Sequence, residues 1–280
     1  MLIPINSTYS SFSKIRKFVR LVIRSPLFRS LDIEHFMSTN SFAFKQFIIH
    51  QEKCAMKVGT DAVLLGAWAK TYGVRRALDI GTGTGVIALM LAQKCGATID
   101  AIDIDGQTAE EAKENVQHSP WHDRVHVQNV SVQDFEKMHP ETSTEKYDLI
   151  VSNPPYFSDS LPATEESRTK ARHTIVLPFP DLIHAAASLL SKEGKFYVIL
   201  PTKEGETFRE LAEAKGLHLR RLTRVKTTPE KTEKRLLMQF GFTAKPQISE
   251  STLIIEKDNL NAQNYSDEYR ELTKEYYLDF

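Results

Sequence analysis

The residues with the clearest chemistry are Ser152-Asn-Pro-Pro-Tyr-Phe157. An amine conjugated to a π system, such as the exocyclic NH2 of adenine or the NH2 of a carboxamide, is a poor nucleophile. A site that alkylates it must hold its protons with acceptors. Asn153 offers a side-chain carbonyl, and Pro154 has no N–H, so its peptide contributes only a C=O. Tyr156 offers a flat face for stacking. The same run also reads as a plain Pro-Pro turn after a strand.

A second motif upstream weighs against the plain turn. Ala77 to Ile80 is a short apolar run, glycines follow at 81, 83 and 85, and Val86 to Ala92 is helix-forming and apolar. Strand, glycine turn and helix together bring backbone N–H groups close to a ligand. The spacing is G-x-G-x-G, with Asp79 two residues ahead, in place of the G-x-G-x-x-G of a dinucleotide site. It resembles motif I of S-adenosylmethionine (SAM) methyltransferases, in which Asp79 and the loop of Gly81, Gly83 and Gly85 would hold the charged amino-acid end of SAM. Asp79 also reads as a turn-capping carboxylate.

Three more strands would deliver polar groups to the same sheet edge. Ala97 to Ile102 ends in Asp103-Ile-Asp105, which places Asp103 to accept from two ribose hydroxyls, with Asp105 as the spare or as a helix cap. Val125 to Val130 leads to Asp134, a candidate acceptor for the adenine amine of SAM or an exposed acid. Tyr147 to Ser152 delivers Asn153.

Ile150 to Tyr156 resembles the N6-adenine methylase signature. Phe42-Ala-Phe-Lys-Gln-Phe47, Ala55-Met-Lys-Val-Gly-Thr-Asp-Ala-Val-Leu-Leu-Gly-Ala-Trp68 and the segment Tyr265 to Phe280 resemble the bacterial tRNA1(Val) adenine N6-methyltransferases, which act at adenosine 37 beside the anticodon. The likeness runs from about residue 38 to the end. It implies SAM as cofactor, tRNA as partner, and Asn153, Pro154, Pro155 and Tyr156 as the catalytic set. It also implies that Lys57, Gly59 and Thr60 close over the carboxylate end of SAM, although packing and helix capping would explain them equally. Phe157 would assist from the other side of the base. Arg168, Lys170, Arg172 and His173 follow where the substrate must arrive.

Around these motifs the chain alternates strand and helix. Phe42 to Ile49 reads as a strand with Lys53 to Lys57 as its hairpin partner, and Thr60 or Asp61 caps a helix to Trp68. Phe179 to Leu190 and Glu204 to Lys215 read as helices, with Lys195 to Leu200 as a strand. Leu217 to Val225 and Arg235 to Thr243 form a strand pair. The expected fold is α/β: a Rossmann-like methyltransferase sheet of seven mostly parallel strands with an antiparallel C-terminal strand. The aromatic residues of the last segment fall at helical spacing, which favours packing over base stacking.

The chain has 280 residues, 41% of them hydrophobic, enough for a sizeable core. Its 36 basic residues equal its 36 acidic ones. That balance argues against broad affinity for nucleic acid and leaves phosphate contacts to local patches. One candidate is Arg220, Arg221, Arg224, Lys226, Lys231, Lys234 and Arg235. Cys54 and Cys95 read as reduced thiols of a cytoplasmic protein. No apolar run approaches the roughly 20 residues of a membrane span, no metal site is expected, and a monomer is. Residues 1 to 36 form a basic amphipathic extension. It reads as an RNA-binding arm, as a transit peptide, or, the favoured reading, as sequence upstream of a natural start at Met37, with the methyltransferase domain spanning 37–280.

Three rivals remain. The carboxamide of a release-factor glutamine presents the same kind of NH2, but that family carries a helical recognition domain for which the region after Met37 is short. A DNA adenine methylase needs a recognition insertion. A non-catalytic RNA-binding relative has no need of an intact Asn-Pro-Pro-Tyr.

Overall fold

The computed structural model describes residues 40–54, 56–139, 145–155, 177–258 and 264–280. Strands β1 (Ser41–Ala43) and β2 (Ile48–His50) pair as a small sheet ahead of helix α1 (Thr60–Trp68). Strand and helix then alternate through β3 (Arg76–Ile80), α2 (Val86–Lys94), β4 (Thr98–Asp103), α3 (Gly106–Gln117), β5 (Val125–Asn129) and α4 (Val132–Met138). β6 (Tyr147–Ser152) is followed by α5 (Phe179–Leu189), β7 (Leu190–Pro201) and α6 (Thr202–Ala214). β8 (His218–Lys226), β9 (Glu233–Gly241), β10 (Ser249–Ile254) and α7 (Asp267–Thr273) complete the described elements.

The main sheet has the order β10-β8-β9-β7-β6-β3-β4-β5. β9 runs antiparallel to both β7 and β8, and the other pairings are parallel. A parallel sheet is covered on both faces, which is why its strands are unbroken apolar runs. Alternate residues of each run serve opposite faces. Leu149, Val151, Tyr197 and Ile199 join α1 and α2 in one cluster, while Ile150, Phe196, Val198 and Leu200 join α4, α5 and α6 in the other. Helices α1 and α2 touch at Gly66, where a Cβ would sit 2.8 Å from Met90 Sδ.

The sheet has eight strands where seven were expected. The addition is β10, an edge strand parallel to β8 and exposed along Ser249 to Thr252, with only Leu253 buried. So polar a segment has no apolar alternation by which to be read. Three local expectations also fail. Phe42 to Ile49 is not one strand: the chain turns between β1 and β2, where Phe44 N donates to Phe47 O at 2.9 Å, and those two strands pair with each other. The described residues of 53–57 do not pair as a strand, because the amides of Lys53 and Cys54 are taken by the Glu111 side chain of α3. Neither Thr60 nor Asp61 caps α1: the cap position is Gly59, with no side-chain bond, and Asp61 pairs with Arg235 at 2.7 Å.

The last segment packs as its spacing suggested. Tyr269 and Tyr276 are buried, the Tyr277 ring lies 6.3 Å from that of Phe44, and the Tyr276 hydroxyl donates to Met90 O at 3.2 Å. Among the described residues no helix is long and apolar enough to cross a membrane.

Candidate active site

Strand order reverses at β3, with β4 and β5 to one side and β6 and β7 to the other. Ligands of open α/β sheets bind at such a switch point, beyond the carboxyl ends of the strands. An open cleft of about 280 Å³ lies there. Its walls include Gly81 and Gly83 after β3, Asp103 after β4, Gln133 after β5 and Asn153, Pro154 and Pro155 after β6.

The loop after β3 depends on its glycines. Gly81, Gly83 and Gly85 have φ of 72°, 57° and 82°, a region that strains any residue with a Cβ. The amides of Gly81 and Thr82 both donate to Ile102 O at 2.9 Å, and Gly83 N donates to Asp103 Oδ2 at 2.9 Å. Gly85 is not a cleft wall: it caps α2 and packs on Ala112. On the far side, Ser152 Oγ donates to Ile80 O at 2.8 Å, locking the end of β6 to the end of β3. Asn153 therefore emerges beside the glycine loop.

Asp103 carries two roles. It accepts from the Gly83 amide and, through Oδ1, from Asp105 N at 3.0 Å, and it also faces the cleft. Burial pushes its carboxyl above the usual range, opposed by those amides. Asp105 is the cap of α3, accepting from Thr108 N at 2.8 Å, and this bond holds its carboxyl below the usual range.

Asp79 lies beneath the loop and is not a cleft wall. It is fully buried, with Oδ2 accepting from the Thr82 hydroxyl at 2.7 Å and Oδ1 left without a hydrogen bond. Burial pushes its carboxyl up to about 7, against the pull of Thr82 and the nearby Ala88 amide. The folded state thus holds a proton that the unfolded chain releases near pH 4. The associated stability is complete below about pH 4 and is lost as pH rises through 7, by at most about 1.4 kcal/mol per pH unit. Asp79→Asn keeps an acceptor for Thr82 and is expected to flatten this dependence, gaining on the wild type from pH 4 to pH 8 in denaturant titrations. Parallel curves for the two proteins would refute it.

Asp134 does not reach the cleft. Ser131 caps α4, so the Asp134 carboxylate turns back to the Ser131 hydroxyl at 2.8 Å and pairs with Lys137 at 2.7 Å in the open. The same segment presents Val130, Val132 and Gln133 instead. Lys57 lines the cleft and Thr60 does not. Tyr156, Phe157, Arg168, Lys170, Arg172 and His173 lie outside the described residues.

Sequence reasoning missed the apolar walls Ile104, Val130 and Val132 and the residues Cys54, Met56 and Val58, which cross in front of the glycine loop. An apolar Ile104 between two acids was the one available signal; in the structure it is 43% exposed. The basic patch largely dissolves. The Arg221 guanidinium lies 4.0 Å over the Trp68 ring, Arg224 pairs with Glu206 and Glu233, and Arg235 pairs with Asp61. Lys231 and Lys234 stay exposed.

A half-buried carboxylate after β4, a fully buried one beneath a glycine loop that permits close approach, and an apolar slot suit a ligand with a cationic centre, a diol and a flat ring. A carboxylate oxygen left without a partner beneath the loop is consistent with a positive charge arriving above it. Asn153 and Pro154 line the same space.

A family model for the methyltransferase small domain matches residues 55–216. The chain is 45% identical over 242 residues to the tRNA1(Val) (adenine(37)-N6)-methyltransferase of Bacteroides fragilis, covering 86% of this chain and 99% of that protein. The same-named proteins of Phocaeicola vulgatus and Escherichia coli are 47% and 41% identical, each over 85% of this chain and 97% and 95% of theirs. Among solved structures, a predicted O-methyltransferase, protein Atu636 of Agrobacterium tumefaciens, shares the fold with a TM-score of 0.59 at 19% identity, over 77% of this chain and 96% of that one. With glycine loop, strand-end carboxylate and Asn-Pro-Pro on one cleft and this identity along most of its length, the chain belongs to the family of tRNA1(Val) (adenine(37)-N6)-methyltransferases.

Proposed function

We propose that the protein transfers a methyl group from SAM to the N6 amine of an adenosine in tRNA, adenosine 37 of tRNA1(Val). The observation that carries this reading is the opening of Asn153 and Pro154 onto the cleft that Asp103 and the glycine loop also line. SAM, when bound, supplies an activated methyl group on a sulfonium. Asp103 would hold its ribose hydroxyls, the cleft face of the glycine loop together with Lys57 its amino-acid end, and Ile104 with Val132 the faces of its adenine. Asp79 then acts from below without touching the ligand, stiffening the loop through Thr82 and, when ionised, lending negative charge.

Asn153 Oδ1 and the Pro154 carbonyl would accept the two N6 protons of the target adenine, which favours a pyramidal nitrogen with an available lone pair. Positioning supplies most of the rate, so no strong base is required. N6 is hidden in stacked bases, so the adenosine must turn out into the cleft. By sequence, Tyr156 would stack on it. The family's named substrate favours this adenine over a glutamine amide. Two free cysteines are in keeping with work in the cytoplasm, and we take the enzyme to be a monomer with one domain over 37–280.

The test incubates the protein with labelled SAM and bulk tRNA lacking its own N6-methyl mark. Label is expected in N6-methyladenosine on nucleoside analysis. Label in a release factor and none in tRNA would overturn the reading.

A further inference from the structure

Residues 51–54 and 56–58 cross in front of the glycine loop as a strap without regular structure. Cys54, Met56, Lys57 and Val58 face the cleft, and Cys54 Sγ lies 3.9 Å from where a Cβ on Gly83 would sit. A strap of this kind needs acceptors for its amides; Glu111 on α3 serves three of them, and Asn115, one turn on, holds the residue just before the strap. Glu111 Oε1 accepts from Glu52 N at 2.6 Å and Lys53 N at 2.8 Å, and Oε2 accepts from Cys54 N at 2.8 Å. Asn115 accepts from His50 N at 2.8 Å and donates to His50 O at 2.8 Å and to Thr84 O at 2.9 Å, joining the root of the strap to the glycine loop. Gln51 Oε1 closes the strap by accepting from Val58 N at 2.9 Å. Glu111 and Asn115 are 2% and 1% exposed, and neither lines the cleft.

A buried carboxylate is costly unless hydrogen bonds compensate it, and those of Glu111 run to three consecutive amides of the strap, ending at that of the cleft-lining Cys54. We propose that Glu111 is a positioning residue that fixes the strap over the glycine loop and thereby sets the affinity for SAM without touching it. The proposal rests on the reading of the cleft as a SAM site.

The test is Glu111→Gln. The Gln Oε1 still serves two amides, but its NH2 meets the Cys54 N–H, donor against donor, so the strap is released at the residue nearest the loop. SAM dissociation constants by calorimetry are expected to rise about tenfold, with kcat at saturating SAM nearly unchanged. Amide exchange at 52–54 is expected to speed up while α3 keeps its protection. Glu114→Gln, which breaks only the exposed pair with Lys53, should change none of these. Unaltered SAM affinity in Glu111→Gln alongside a loosened strap would overturn the proposal, as would unaltered exchange. Should that variant fail to fold, the wild type decides: SAM must slow exchange at 52–54, and no slowing overturns the idea. Failure of the wild type to bind SAM at all would instead remove the underlying reading of the cleft.

Discussion

Asn153→Ala is expected to lower methyl transfer to tRNA by about 100- to 1000-fold while the dissociation constant for SAM moves only a few-fold. Asn153 sits at the end of β6, whose position is set by its pairing with β3 and β7 and by the Ser152 bond to Ile80. Truncating the side chain leaves that frame in place and removes one acceptor for the amine. The loss belongs to the transition state, because the acceptor matters most when nitrogen gives up its conjugation. Single-turnover rates with excess enzyme, set beside calorimetric SAM binding, separate the two effects. Equal losses in both would show that Asn153 shapes the cleft and has no part in the chemistry.

Asp103→Ala should give the opposite profile. The carboxylate holds Gly83 N and Asp105 N as well as facing the cleft. Its removal strands two amides and takes away the partner for the ribose diol. The combined cost is on the order of 3 kcal/mol, about a 100-fold weaker affinity for SAM. At saturating SAM, kcat should recover to near the wild-type value. Asp103→Asn, which keeps one carbonyl acceptor, should fall between. SAM affinity within twofold of the wild type in Asp103→Ala would exclude the assigned role.

The two carboxylates at strand ends show how far local pattern reaches. Asp103 was legible because a strand of known period must deliver its last residue to the sheet edge. Asp134 follows a strand end too, yet Ser131 takes the cap of α4 and turns it outward. A capping box and a ligand-binding acid use the same residue types at the same spacing, so spacing alone does not separate them. Asp79 is similar: its distance from the glycines is right, but its depth beneath the loop is a property of the sheet. The basic patch misled because Arg221, Arg224 and Arg235 find Trp68, Glu206 and Asp61, residues remote in sequence.

The sequence by itself determined the parts whose physics is local. Those are the glycine loop that only positive φ permits, the apolar runs that must be covered on both faces, and the carbonyl acceptors of Asn153 and Pro154 after β6. Only the tertiary structure decided which of the acids face the cleft and what closes it. The amides of residues 52–54 look, in sequence, like those of a strand awaiting a partner. Their acceptor is Glu111, 57 to 59 residues away, and no periodicity in the chain records a bond between an irregular backbone and a distant helix.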